Sequence, residues 1–521
     1  GKFNSFKYSL KVKVTSEVIS NSIRINNLEV KDNTITAELS DENGLSAYAI
    51  TQSSEAPSDN EWIDITNDTA KSNVQKVADS LVTTKSIRYT ATTSGTYYLH
   101  VKNSLGQLSK KVIRIATNNK YSDESGANRP IIKTGMIPVI YNGNDWVKAD
   151  ASAAWYDYDR REWANAVTVS ETNRQKYMDA IPGTPISMDD INTMWVWIPR
   201  YEYETITSTS ATEIKVNFLT GTESNKTNNY ITHPAFTFGT QELTGIWAAK
   251  FEASSDTTCT PTNFDVDKGC DLTTLKVNIK PNVTAWRGIR ISTADLNTRT
   301  MNDSGNIYGF IESEVDTHVM KNIEWGAVAY LTQSKYGRCI DGKCTEVTAN
   351  ASYTTGSSNS NTYEKYNGVV SSTTGNIYGV YDMHGGSFEL VMGVIKDNTS
   401  DNPMSGYADL YNSGYRGKVY NSGKYTDFAG RDWPDAKYYD LYEFGTSCNN
   451  AEAYARSKIG DATTETKGWY GAYAVFANAE YSWFIRGSYC NDLDGHGMFI
   501  FSRAYGSAYG RYSFRPALVQ K

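Results

Sequence analysis

Six cysteines, Cys259, Cys270, Cys339, Cys344, Cys448 and Cys490, are the side chains best suited to covalent chemistry. The count is even, and two pairs lie close together. The simplest pairing joins Cys259 to Cys270, Cys339 to Cys344 and Cys448 to Cys490, although six cysteines permit many other connectivities. Three disulfides imply an oxidising, extracellular setting; six free thiols in a cytosolic protein are the alternative. Zinc is disfavoured. No C-x2-C or H-x3-H spacing occurs, and His100, His233, His318, His384 and His496 are scattered. No Ser/His/Asp set, P-loop or G-x-G-x-x-G strand-helix unit is legible. No catalytic residue, metal or cofactor is expected on these grounds. What is abundant is tyrosine, at 37 of 521 residues. Tyrosine suits strands, and it suits binding surfaces that need large contact area at low entropy cost.

The elements that must position such residues follow from composition and pattern. The chain is 39% hydrophobic and 21% charged, long enough for about two to four domains of roughly 150 residues. The charge balance, 51 − 58 = −7, offers no basic excess for phosphates, so nucleic acid is not an expected partner. No apolar run is long enough to span a membrane. Gly1-Lys2-Phe3 lacks a signal peptide's apolar core, the expectation being a mature or trimmed form.

Tyr8 to Val14 alternates and reads as a strand, within an N-terminal tail of residues 1–20. It belongs to a preceding domain or pairs with a partner. Residues 21–118 are all-β in pattern, with short alternating runs and turn clusters at Asp41–Gly44 and Asn103–Gly106. The run Ser94-Gly-Thr-Tyr-Tyr-Leu-His-Val101 resembles the tyrosine-corner strand of immunoglobulin-like domains, which implies a sandwich acting as a spacer. Residues 119–130 are polar and read as a linker. From Ile131 tryptophan and tyrosine recur, and Met194 to Pro199 reads as a buried strand. Helices are predicted over 171–180 and 322–332. The Ser/Thr/Asn/Gly tract 348–374 is a long loop, either functional or mobile.

Five segments, taken in order, resemble the formylglycine-generating-enzyme (sulfatase-modifying factor) family, a branch of the C-type lectin fold. They are Gly245-Ile-Trp-Ala-Ala-Lys-Phe-Glu-Ala-Ser254, Asn322 to Leu331, the Gly375 to Val391 stretch containing Asp382-Met-His-Gly-Gly-Ser-Phe-Glu-Leu, Trp483-Phe-Ile-Arg-Gly-Ser-Tyr489 and Ser513-Phe-Arg-Pro-Ala-Leu518. The resemblance covers about residues 190–518 and implies an α+β C-type lectin-like domain over 131–521. The expected fold class is therefore mixed, an all-β immunoglobulin-like sandwich followed by this domain. The family's copper-dependent oxidase chemistry needs two cysteines spaced C-x4-C. Here Cys490 has Gly495 where the second would stand, and a single thiolate cannot supply that copper site. The sugar-binding calcium motifs of C-type lectins are missing too. A binding protein on an enzyme-like fold is the implied reading.

A narrower resemblance covers 486–516. This segment is similar to the variable region of proteins diversified by retroelements, such as the phage major tropism determinant and related bacterial surface lipoproteins. It implies diversified contact residues at Asp492, Asp494, His496, Tyr505, Ser507, Tyr509 and Tyr512, with Tyr489, Phe499 and Phe501 extending the ligand-binding set. Independently, Tyr, Ser, Gly, Asp and Asn on loops form an antibody-like contact composition. Phe499 and Phe501 share one side of a strand and Met498 and Ile500 the other, so one face is core and the other extends the patch. Arg486, Arg503 and Arg515 are expected to orient the frame through hydrogen bonds, and Glu389 to be a buried structural carboxylate. The expected function is a non-enzymatic adhesin or phage receptor-binding protein, extracellular on a bacterial surface or virion, with a protein or glycan ligand. A self-assembling fibre or pilus subunit and a residual oxidase are the alternatives.

Overall fold

The computed structural model describes residues 22–31, 34–65, 82–90, 95–115, 121–358, 362–396, 410–421, 424–443, 459–478, 481–491 and 497–521. The expected strand at 8–14, Cys448, Asp492, Asp494 and His496 lie outside these. The chain divides into two compact units, 1–118 and 119–521.

The first unit is a pair of antiparallel sheets. Thr34–Ser40 lies between Arg24–Lys31 and Thr84–Thr90 in one; the other has the order Ile63–Asp64, Leu45–Thr51, Gly95–Asn103, Leu108–Ile115. Alternation does the work in Thr34–Ser40, where Ile35, Ala37 and Leu39 point inward and their neighbours do not. They join Leu45, Ile87, Leu99, Val101 and Ile113 in one core shared by both sheets. All six cysteines of the chain lie beyond this unit, so packing alone holds it.

The second unit is built on a seven-stranded antiparallel sheet in the order Val315–Val319, Pro516–Gln520, Gly245–Ala249, Ile191–Pro199, Asn165–Val169, Ile137–Tyr141, Trp146–Lys148. The run predicted at 194–199 is a central strand of nine residues, with Trp195 and Trp197 essentially unexposed. A continuous apolar run of that length can only be stable with both faces covered. The predicted helices form as Glu171–Asp179 and Asn322–Thr332. The latter is buried at every position, its first turn closed by Glu324, whose Oε2 accepts the Lys321 N–H at 2.9 Å. A helix at Ile291–Arg299 has no counterpart among the predicted elements.

A second sheet centres on Phe388–Lys396. Trp483–Arg486 lies along one edge and is itself followed by Phe501–Ala504. On the other edge Phe388–Leu390 pairs in parallel with Tyr512–Phe514, and Gly393–Lys396 in parallel with Asp440–Glu443. The strand bulges between Val391 and Val394. There a Cβ at Gly393 would sit 2.5 Å from the Asn322 amide nitrogen, so any larger residue would have to displace that side chain.

Residues 121–130 are packed into the second unit and are not the open linker expected over 119–130. Tyr121 packs on Tyr156 at 5.1 Å. The Asp123 carboxylate accepts the Tyr158 N–H at 2.7 Å, and the Asn128 side chain bonds Gly221 and Thr244. A polar segment reads as a linker from composition, but its polar groups are here consumed by buried backbone partners.

Candidate functional site

Two of the three predicted frame arginines, Arg486 and Arg515, are buried. The Arg486 guanidinium donates to the carbonyls of Asp461 (3.0 Å) and Ala462 (2.9 Å) and lies over the ring of Trp325. Arg515 is forked onto Glu389 and also donates to the carbonyls of Ala249 and Tyr381, each at 2.9 Å. Both Arg515 and Glu389 are fully buried. Burial pushes the Glu389 carboxyl up to about 7 against the pull of Arg515. Burial also raises Asp382 and Glu252, and Asp382 adds repulsion to Glu252. Three carboxyls thus share one guanidinium. Arg503 differs from expectation: it is half-buried and stacks over Tyr481 at 4.8 Å.

The predicted contact residues separate into two groups. Phe499 and Phe501 are unexposed, and so are Met498 and Ile500, so neither side of this stretch extends a surface. Phe499 meets Trp469 at 5.3 Å, and Phe501 meets Phe476 at 4.7 Å. Strand geometry begins only at Phe501, so the alternation argued for 498–501 does not apply. Ser507 is buried as well, and Tyr512 is buried because it pairs with Phe388 inside the sheet. Tyr489, Tyr505 and Tyr509 remain partly exposed. Tyr505 stacks on Tyr481 at 4.3 Å.

Tyr489 and Tyr509 belong to one patch. The Arg511 guanidinium lies 5.7 Å from the Tyr489 ring and 5.9 Å from that of Tyr509. Phe388 and Tyr512 back them, with Phe388 to Tyr489 at 5.2 Å and Tyr509 to Tyr512 at 5.2 Å. The patch is extended by residues that the sequence reading passed over. The disulfide Cys259–Cys270 closes a loop carrying Phe264 and Val266, which are 51% and 46% exposed. That loop clamps the 505–511 turn. The Asp267 N–H donates to Ala508 at 2.8 Å, the Gly510 N–H to Asp265 at 3.2 Å, and Val266 bridges Tyr509. Within the loop, the hydroxyl and N–H of Thr262 and the Gly269 N–H hold the Asp267 carboxyl down at about 2. Phe264 approaches Tyr353, whose ring carries the Arg287 guanidinium at 3.6 Å, and Arg287 donates to the Gly510 carbonyl. The available signal was the pair of large apolar residues in a short polar loop closed by two cysteines.

Cys339–Cys344 is also bridged as expected. The third expected bridge is not formed at Cys490, which is a free, buried thiol. Its N–H is tied to Gly386 at 2.9 Å, and its side chain lies beside Tyr353 and Arg287. Burial pushes the thiol above its ordinary value, so it is protonated at neutral pH and a poor nucleophile. Among the described residues no cluster of His, Cys, Asp and Glu is placed to hold a metal ion, and no helix is long and apolar enough to cross a membrane. The arrangement is suited to contact: rigid aromatic rings, one guanidinium and apolar side chains on a covalently closed loop.

No protein-family model matches the chain, and no curated protein matches it.

Proposed function

We propose that this chain is a non-enzymatic surface protein that binds a protein or glycan ligand through the face formed by Tyr489, Tyr509, Arg511, Phe264 and Val266. The observation that carries the reading is the exposure of Phe264 and Val266 beside partly exposed tyrosines on a loop held by a disulfide. Large apolar side chains are rarely left exposed together without a partner. Tyrosine and arginine are the residues most enriched where binding energy concentrates. The two disulfides support an extracellular setting, on a bacterial surface or a virion. The unbridged thiol of Cys490, pushed above its ordinary pKa by burial, supports binding over copper-type oxidation.

In this reading the first unit is an immunoglobulin-like spacer, supported by its two sheets on one core. The second is a C-type lectin-like head of the retroelement-diversified type. Its support is the turn at 505–511, a surface element bearing Tyr505 and Tyr509 on a frame of buried Arg486 and Arg515. The test is binding of the full chain to intact bacterial cells of several species, compared with Tyr509→Ser and Arg511→Ala. Binding that either change abolishes, without a change in melting temperature, supports the reading; equal binding by both variants overturns it. The diversification claim is tested in the neighbouring DNA. A near-repeat of the segment encoding 486–516 that differs at adenines, beside a reverse-transcriptase gene, supports it.

A further inference from the structure

A cleft lies beside a small three-stranded sheet of the second unit. Tyr201–Glu204 runs between Val216–Phe218 and Tyr230–Thr232. Where the three strands end, the Glu204 N–H donates to the Lys215 carbonyl at 3.0 Å and the Thr205 N–H to the Asn229 carbonyl at 3.2 Å. Beyond them the chain opens into a cleft of about 520 Å3. Residues 204–208 and 212–215, with Asn229 and Trp469, line it. The volume falls within the roughly 300–1,000 Å3 of small-ligand clefts.

The walls are fixed before any ligand arrives. Gln333 donates its side-chain amide to the Thr212 carbonyl at 3.0 Å and its own carbonyl accepts the Ile214 N–H at 2.8 Å. Trp469 is braced by Phe499 at 5.3 Å, and its indole N–H has no partner among the described residues. Two non-glycine residues with left-handed backbone flank the cleft, Asn229 at φ 66° and Tyr470, next to Trp469, at φ 56°. Asparagine adopts this conformation readily, so the strain lies at Tyr470, and such strain concentrates where a site requires it.

The chemistry of the lining selects the ligand. Glu213 is paired with Lys215, which leaves the Glu204 carboxylate and the Asn229 amide exposed and without side-chain partners among the described residues. With two carboxylates against one ammonium, an anion is disfavoured. Apolar and polar atoms face the cleft in about equal measure, which suits an amphipathic ligand better than a lipid or an apolar peptide. The Glu204 carboxylate accepts and the Asn229 amide both donates and accepts, which with the apolar part of the lining matches the hydroxyls and C–H faces of a carbohydrate. We infer that this cleft binds a neutral saccharide, at a site independent of the tyrosine face.

The test is calorimetric titration of the full chain with the methyl glycosides of glucose, galactose, mannose and N-acetylglucosamine, and with n-butylamine as a cationic control. Saturable binding of at least one glycoside is expected. Glu204→Ala and Asn229→Gly should each weaken it by about tenfold, the loss when a polar ligand group is left without its partner. Both positions are exposed and glycine keeps the left-handed backbone at 229, so melting temperatures should not move, and Tyr509→Ser should leave glycoside binding intact. The inference is overturned if no glycoside saturates, if butylamine binds more tightly than every glycoside, if neither cleft variant weakens binding, or if Tyr509→Ser abolishes it.

Discussion

Arg515 and Glu389 form a two-point fork in which Nε donates to Oε2 at 3.0 Å and Nη2 donates to Oε1, with both residues at zero exposure. Glu252 and Asp382 lie in the same buried network, so this guanidinium is the cation that three carboxyls share. Arg515→Ala should therefore be among the most damaging single changes, at about 3–5 kcal/mol. Glu389→Gln keeps the shape and one acceptor and should be milder. Chemical denaturation of the two variants checks the order; equal, small losses would show that the fork is not what joins these strands.

The free energy should also depend on pH through His318. This side chain is fully buried, with Nε2 2.9 Å from Glu324 and Nδ1 3.9 Å from Asp316. Burial pushes the imidazolium down, but the two carboxylates outweigh it and raise its pKa to about 9. A group raised on folding stabilises fully below its unfolded value of 6.5, and that contribution fades as pH rises through 9. The window predicts a loss of up to about 3 kcal/mol between pH 6.5 and 9.5. Urea midpoints across that range read it. In His318→Gln the fall should flatten, whereas an unchanged slope assigns the dependence to another group.

Contact residues and core residues should part under substitution. Tyr489→Ser and Tyr509→Ser alter partly exposed rings and should change stability by no more than about 0.5–1 kcal/mol. Tyr512→Ser and Phe501→Ala empty buried sites and should each cost about 3–5 kcal/mol. Thermal melts suffice, without knowledge of the ligand. A Tyr509→Ser loss as large as that of Phe501→Ala would place Tyr509 in the core and remove it from the binding face.

The Cys259–Cys270 bridge should matter twice. Replacing both cysteines with serine should lower stability by about 3 kcal/mol through the opened loop. Because that loop clamps the 505–511 turn, the Gly510 amide should also exchange its hydrogen faster. Cys490→Ser, at a free thiol, should leave that exchange as it is. Hydrogen exchange with mass readout compares the three proteins; an unaltered Gly510 rate in the double serine variant would falsify the clamp.

The place where the chain is cut should decide whether the second unit folds alone. A fragment beginning at residue 119 keeps Tyr121, Asp123 and Asn128, whereas one beginning at 131 leaves their partners unpaired in the interior. The longer fragment should melt higher and express in soluble form. Equal melting of the two would mean that the 121–130 segment only decorates the surface.

Much of this was open to local reading, because hydrophobic period is a property of neighbours in the chain. The alternation of Ile35, Ala37 and Leu39, the unbroken Trp195–Ile198 run and the 322–332 helix each announce a buried face. The two short-range disulfides follow from proximity alone. Only the tertiary structure decided which residues of the tyrosine-rich end reach solvent. Tyr509 and Tyr512 are three residues apart and chemically identical, yet one lies in a turn and the other in a strand against Phe388. The same holds for Phe264 and Val266, which join the face because a loop 240 residues upstream in the chain folds onto the turn at Ala508 to Gly510. Burial depends on who packs against a residue, and contacts over such separations carry no periodic trace in the sequence.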